Sequence, residues 1–220
     1  MTIVALPPDE AAALALLARA RRRLMRADPR LAPVIKAIGP CAYTRRPGGF
    51  ASLFHSILRQ QLSGKAAATI AGRLHLACAG DIHPERVMAL DDEAFAAAGV
   101  SRQKRDYLRG LAAAALAAPS WFDALTEMPD EAAVASLTAI KGIGRWTAEM
   151  YLMFSLGRLD VLPLGDVSIR AALAAIYGIK RDAPAAKLTR LAEAWRPYRS
   201  VACWYFYAYL DRREECPLAD

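Results

Sequence analysis

The chain has 220 residues and a net charge of +7, with a pI near 9.4. It is 55% hydrophobic, largely through alanine runs, and has no run of eighteen apolar residues without a charge, which excludes an apolar membrane-spanning helix. The basic balance favours an anionic partner.

Met1-Thr-Ile-Val-Ala-Leu-Pro-Pro lacks a basic leader followed by an apolar core, so export is not expected. The cysteines, Cys41, Cys78, Cys203 and Cys216, form no Cys-x-x-Cys pair, and His55, His75 and His83 are scattered. Neither a zinc site, a disulfide framework nor a histidine triad is signalled.

In chain order, a long Ala/Leu/Arg helix is predicted from Asp9 to about Ala27, stopped by Asp28-Pro29, with a short helix from Leu31 to Ile38. Arg19, Arg21, Arg22, Arg23 and Arg26 read as the solvated face of the first helix. After a Gly/Pro loop, Phe50, Leu53, Phe54, Ile57 and Leu58 fall at helical spacing. Gln60-Gln61-Leu62 lie where that helix ends, and Ser63 caps the next, Gly64 to about Cys78, so Gln61 and Leu62 occupy an exposed corner. Asp91-Asp92 open a short helix ending at Gly99, and Ser101 caps another, Arg102 to Ala118, with a basic outer face.

Pro119 and Pro129 frame a short segment, and Asp130 caps a helix whose apolar pattern runs to Ile140. The pattern breaks at Lys141-Gly142-Ile143-Gly144 and resumes from Arg145, which reads as helix, tight hairpin, helix. Paired glycines let the chain reverse and let its amides approach a bulky anion. Those amides open the second helix, where the dipole favours phosphate, and Lys141 and Arg145 add positive charge. The hairpin therefore reads as a clamp for a nucleic-acid backbone or as an ordinary glycine-capped connection.

Farther on, Val161-Leu-Pro-Leu-Gly-Asp166 is a Pro/Gly loop ending in a carboxylate that starts a new helix, and capping is the simplest role for it. That helix ends at Tyr177-Gly178, another spans Pro184 to Trp195, and the last, Ser200 to Arg212, carries Trp204, Tyr205, Phe206, Tyr207 and Tyr209. No alternating run long enough for a sheet appears, so the protein is predicted to be all-α.

Ile57-Leu-Arg-Gln-Gln-Leu-Ser63, Gly142-Ile-Gly-Arg-Trp-Thr-Ala148 with Asp166, and Glu193-Ala-Trp-Arg-Pro-Tyr-Arg-Ser-Val-Ala202, in that order, carry a likeness over residues 50 to 210. The chain resembles the helix-hairpin-helix DNA glycosylase superfamily, in particular its 3-methyladenine DNA glycosylase II branch. The resemblance implies two helical subdomains, 1–49 plus 160–220 and 50–159, with the helix-hairpin-helix at 131–155 and an active-site cleft between them. It also implies the compact form, because about fifty residues before the corner leave no room for the N-terminal sheet domain of some members.

By the same resemblance, Lys141, Gly142, Ile143, Gly144 and Arg145 hold the DNA backbone, while Gln61 or Leu62 enters the duplex behind an extruded nucleotide. The family's usual apolar wedge matches Gln61. Trp146, Tyr207 and Met150 fall at base-pocket positions, although Met150 and Val167 stand where the family has aromatic rings. The carbonyls of Thr138, Ile140 and Ile143 would hold a monovalent cation. No iron–sulfur cluster is expected, since only Cys203 and Cys216 lie in the C-terminal region where the endonuclease III branch binds one.

Breaking a base–sugar bond requires taking the nucleotide out of the stack, at a cost of a few kcal/mol, and placing negative charge near C1′ as the sugar becomes cationic. Asp166 supplies such a charge, as electrostatic stabiliser or as base toward water. Lyase members have a nucleophilic lysine where Trp146 stands, so a monofunctional hydrolase is implied. An indole face also attracts cationic alkylated bases.

The expected activity is base excision of alkylated purines, of the 3-methyladenine and 7-methylguanine type, by a monomer acting on double-stranded DNA in the cytoplasm (nucleoid) or nucleus. The alternatives are a non-catalytic helix-hairpin-helix DNA-binding protein, a glycosylase for uracil, hypoxanthine or ethenoadenine, and a helical protein–protein scaffold.

Overall fold

Capping side chains write many of the helix starts. In the computed structural model, which describes residues 3–212, Asp9 accepts from the Ala12 amide at 2.7 Å and opens α1 (Glu10–Ala27). α2 (Leu31–Ile38) ends at Gly39. α3 (Gly49–Arg59) is followed by α4 (Gly64–Ala77), capped by Ser63, and by α5 (Pro84–Ala89). Asp91 caps α6 (Asp92–Ala98) and Ser101 caps α7 (Arg102–Ala117).

α8 (Trp121–Glu127), α9 (Asp130–Thr138) and α10 (Arg145–Phe154) complete the middle of the chain. α11 (Val167–Tyr177), α12 (Ala185–Ala192) with a 3-10 turn (Glu193–Trp195), and α13 (Arg199–Asp211) follow. The fold is all-α; among the described residues extended pairing is limited to one bridge, Ala5 with Arg158. No helix among them is long and apolar enough to cross a membrane.

One cap departs from the sequence expectation. Pro129 holds the cap position of α9 and Asp130 is already its first helical residue. Proline fixes its own φ without a side-chain hydrogen bond, so the Asp130 charge acts on the helix dipole from inside the first turn. α5 and α8 lie where no helix is anticipated, and their brevity leaves too few turns for periodicity to register.

The chain divides into two units, Met1–Arg45 with Gly157–Asp220, and Arg46–Leu156. In the terminal unit, Leu24, Leu31 and Ile35 of α1 and α2 share a core with Tyr205 and Phe206 of α13 and with Trp195, whose ring lies 5.2 Å from that of Phe206. In the central unit, Leu53, Phe54, Ile57 and Leu58 of α3 are buried, as are Leu108, Leu111 and Ala112 of α7. Each large side chain sealed this way contributes about 1.5–3 kcal/mol. That core presents two chain reversals, the α3–α4 corner and the α9–α10 hairpin.

Candidate active site

The hairpin is a turn closed by the Ile143 amide donating to the Ile140 carbonyl at 3.0 Å. Gly142, third in that turn, has φ 94°, as a type II turn demands. It could not carry a side chain for a second reason: a Cβ would lie 2.8 Å from Tyr107 Cβ and closer still to the ring. Ile143 is buried and anchors the hairpin. Gly144 has an ordinary φ of −83° and open space where a Cβ would be.

Neither backbone strain nor a neighbouring atom requires glycine at 144. Glycine there leaves α10 without the side-chain cap that Asp9, Ser63, Asp91 and Ser101 give their helices. A helix start of this kind turns its amides and the positive end of its dipole outward.

The two cations assigned to the hairpin fare differently. Lys141 is exposed. Arg145 is held by carboxylates, its Nη2 2.6 Å from Glu131 Oε1 and its Nε 2.9 Å from the buried Glu149 Oε1. Glu131 above all raises the guanidinium pKa, so the charge is permanent but locally balanced. One residue on, Trp146 is 48% exposed, so its ring is not part of the core. Met150, one turn later, is half-buried.

At the corner, Gln61 and Leu62 are exposed, and Gln61 has φ 57°. Three side chains to which the sequence assigns no role, Gln60, Lys104 and Tyr107, connect this corner, the hairpin and α7. Gln60 Nε2 donates to the Gly142 carbonyl at 2.8 Å. Lys104, which the sequence leaves on a basic outer face, turns inward and donates to the carbonyls of Leu58 and Gln60, each at 2.6 Å. Tyr107 supports Gly142. The signal for Lys104 was its spacing, since positions 104, 108 and 111 share one helical stripe whose other members, Leu108 and Leu111, are buried.

In the terminal unit, the loop before Asp166 is fixed along its length. The Ser200 amide donates to the Leu159 carbonyl at 2.9 Å, the Val161 amide to Ser200 Oγ at 2.9 Å, and Arg170 Nε to the Leu164 carbonyl at 2.7 Å. Asp160 accepts from Arg196 Nη1 at 2.6 Å and from Arg199 Nε at 2.8 Å.

Asp166 then caps α11. Its Oδ1 accepts from the amides of Ser168 at 2.8 Å and Ile169 at 3.1 Å, while its Oδ2 accepts from the Tyr207 hydroxyl at 2.9 Å. Burial first, and the Asp166 charge second, push the Tyr207 pKa well above the usual tyrosine range, so Tyr207 remains a proton donor. The residue after Asp166, Val167, is 80% exposed. The carboxylate, 6% exposed, is thus oriented by donors from two helices next to an exposed residue, an arrangement suited to stabilising a nearby developing cation.

Of the cysteines, Cys203 is buried on α13 and Cys216 lies outside the described residues. Thr138 is the last residue of α9, and the Ile140 carbonyl accepts the turn bond. Carbonyls at a helix C-terminus carry partial negative charge and unused lone pairs, so this donor set suits a hard monovalent cation.

Residues 54–197 match the family model for HhH-GPD superfamily base excision DNA repair proteins. The chain is 30% identical over 196 residues to the alkylbase DNA glycosidase-like protein mag2 of Schizosaccharomyces pombe, covering 86% of this chain and 92% of that protein. The crystal structure of DNA-3-methyladenine glycosidase from Bacillus halodurans is similar with a TM-score of 0.82 and 34% identity, over 98% of this chain and 95% of that one. Schizosaccharomyces pombe 3-methyladenine DNA glycosylase Mag1, in complex with abasic DNA, is similar with a TM-score of 0.74 and 29% identity, over 88% and 97%. The hairpin, the capped Asp166 loop and these likenesses agree, and the chain belongs to the HhH-GPD superfamily of base excision DNA repair proteins.

Proposed function

We propose that this protein is a monofunctional DNA glycosylase that extrudes alkylated purines, of the 3-methyladenine and 7-methylguanine type, from double-stranded DNA and hydrolyses their bond to the sugar. The observation that carries the proposal is Asp166, whose carboxylate is held by the amides of Ser168 and Ile169 and by the Tyr207 hydroxyl. A fixed negative charge favours the sugar cation more than the neutral sugar, which is the differential binding that lowers a barrier. Asp166 serves as that charge, as a base that takes a proton from the attacking water, or as both.

In the central unit Trp146 offers an exposed indole face to a cationic base, an attraction of about 0.5–2 kcal/mol, and Met150 stands one turn on as a further base-contacting group; in the terminal unit that role falls to Tyr207, beside Asp166. Because an alkylated purine is already a good leaving group, no separate acid is needed. With an indole in the place of a lyase's lysine, water is the nucleophile and the strand remains intact.

The hairpin amides of Gly142, Ile143 and Gly144, flanked by Lys141, take the phosphate backbone. Arg145 shapes that grip through Glu131 and Glu149. Gln61 or Leu62 fills the gap left by the extruded nucleotide. A monovalent cation on the carbonyls of Thr138, Ile140 and Ile143 would add positive charge beneath that backbone. The protein acts as a monomer in the nucleoid or nucleus.

The test is incubation with methylated genomic DNA and chromatography of what is released. Methylated purines should appear, with strand breaks only after alkali. No released base from any alkylated duplex would overturn the reading, and salt-dependent duplex binding without release would instead identify a DNA-binding module.

A further inference from the structure

Side-chain hydrogen bonds tie the corner between α3 and α4 to α7 and to the hairpin. Gln61 and Leu62 are exposed, and with Leu58, Gln60, Val100 and Lys104 they border a hollow of about 190 Å³. Gln61 adopts φ 57°, a conformation that a non-glycine residue keeps only when its surroundings enforce it.

The enforcement comes from hydrogen bonds. Lys104 Nζ reaches the carbonyls of Leu58 and Gln60, at 2.6 Å each, where α3 runs out of intrahelical donors and its dipole favours a cation. Gln60 carries the restraint onward through its 2.8 Å bond to the Gly142 carbonyl. Gly142 rests against Tyr107, three residues beyond Lys104 on the same helix. Corner, hairpin and α7 thus close a ring of contacts.

We propose that Lys104 and Gln60 are positioning residues that lock the corner to the hairpin, so that the side chain entering the duplex and the amides gripping its backbone move as one piece. The inference rests on reading both elements as DNA contacts. Backbone contacts supply most of the affinity, whereas unstacking a base needs the wedge pressed against a held backbone. Loss of the brace should therefore spare affinity and weaken extrusion.

The probe is 2-aminopurine, whose fluorescence rises when it leaves the stack, placed at one position of a DNA duplex and titrated to saturation. The wild type should raise the signal. Lys104→Met and Gln60→Ala should each cut that rise by about threefold or more, with Kd changing less than about threefold, as expected when a group is misplaced rather than removed. Lys104→Arg, which keeps the positive charge and the donor groups, should retain more of the rise than Lys104→Met does.

A wild-type-sized rise in both variants, no rise in the wild type, or affinity lost in step with the signal would overturn the inference. Should Lys104→Met not fold, Gln60→Ala decides alone, because it removes only a half-buried side chain. Base release by the wild type is scored separately. A protein that unstacks DNA through the brace yet releases no base would end the glycosylase reading and leave this inference standing.

Discussion

Asp28 and Asp166 are built alike and placed differently. Each is 6% exposed. The Oδ1 of each accepts two backbone amides, from the residues two and three positions on: Arg30 and Leu31 for Asp28, Ser168 and Ile169 for Asp166. The Oδ2 of each accepts a tyrosine hydroxyl, Tyr177 at 2.6 Å and Tyr207 at 2.9 Å.

The difference lies in what surrounds them. Asp28 Oδ2 also takes the Trp195 indole N–H at 2.7 Å, and that indole is fully buried against Phe206. Beside Asp166 stand a half-buried tyrosine and an exposed valine. Capping geometry and burial are therefore the same at Asp28 and at Asp166, the carboxylate proposed to be reactive. The proposed distinction lies in their neighbours, a fully buried indole at Asp28 and an 80% exposed valine next to Asp166.

The largest expected effects come from removing each charge in turn. Asp166→Asn should lower base release by about 10²–10³-fold, as does loss of a preorganised charge-stabilising group, while stability changes by less than about 1 kcal/mol because asparagine caps nearly as well. Asp28→Asn should do the reverse. Its amide would face two buried donors, Tyr177 and Trp195, at a cost of about 2–4 kcal/mol, with the rate per folded molecule kept. Denaturation curves measured beside base release decide this, and an Asp28→Asn protein that is stable but inactive would break the comparison.

The hydroxyls give a smaller contrast. Tyr177→Phe should cost about 1–2 kcal/mol of stability by taking one donor from a sealed carboxylate. Tyr207→Phe should leave stability nearly unchanged and reduce kcat by about tenfold, with KM preserved since the ring remains. Steady-state kinetics on a single-lesion duplex separate the two parameters. A Tyr207→Phe enzyme with wild-type kcat would reduce Tyr207 to a pocket wall.

How much of this was legible depends on sequence distance. The caps at Asp9, Ser63, Asp91 and Ser101 and the stop at Gly178 act within a few residues, so the helices they bound follow from local pattern. Asp166 and the hairpin stood out because a glycine pair and a Gly-Asp loop are themselves local. The Asp28 cluster did not, since Tyr177 and Trp195 lie 149 and 167 positions away and nothing near Asp28 announces them. Arg145 and Lys104 show the same limit from the other side. The charge of Arg145 suggested phosphate and that of Lys104 a basic outer face, but Glu131, Glu149 and the carbonyls of Leu58 and Gln60 come to them only through the fold.

The smallest predicted effect tests the two tyrosines through pH. Burial first, then the neighbouring carboxylate, raises the pKa of Tyr177 and of Tyr207 above the ordinary value. In the unfolded chain each tyrosine loses its proton near pH 10, whereas in the folded chain it keeps it, so above about pH 10 the unfolded state binds fewer protons and stability falls as pH rises. The stabilisation is fully present below the unfolded pKa and disappears toward the folded one. Tyr43 and Tyr205 act in the same direction, so each Phe variant removes only part of the slope, at most about 1.4 kcal/mol per pH unit. Urea midpoints compared between about pH 9 and pH 11 should flatten by a similar amount in Tyr177→Phe and Tyr207→Phe, because both hydroxyls stay protonated in the folded chain across that window. A smaller flattening for Tyr207→Phe would mean that the Tyr207 hydroxyl is already partly ionised in the folded chain at that pH, and that its bond to Asp166 holds the proton less firmly than the Tyr177 bond to Asp28 does.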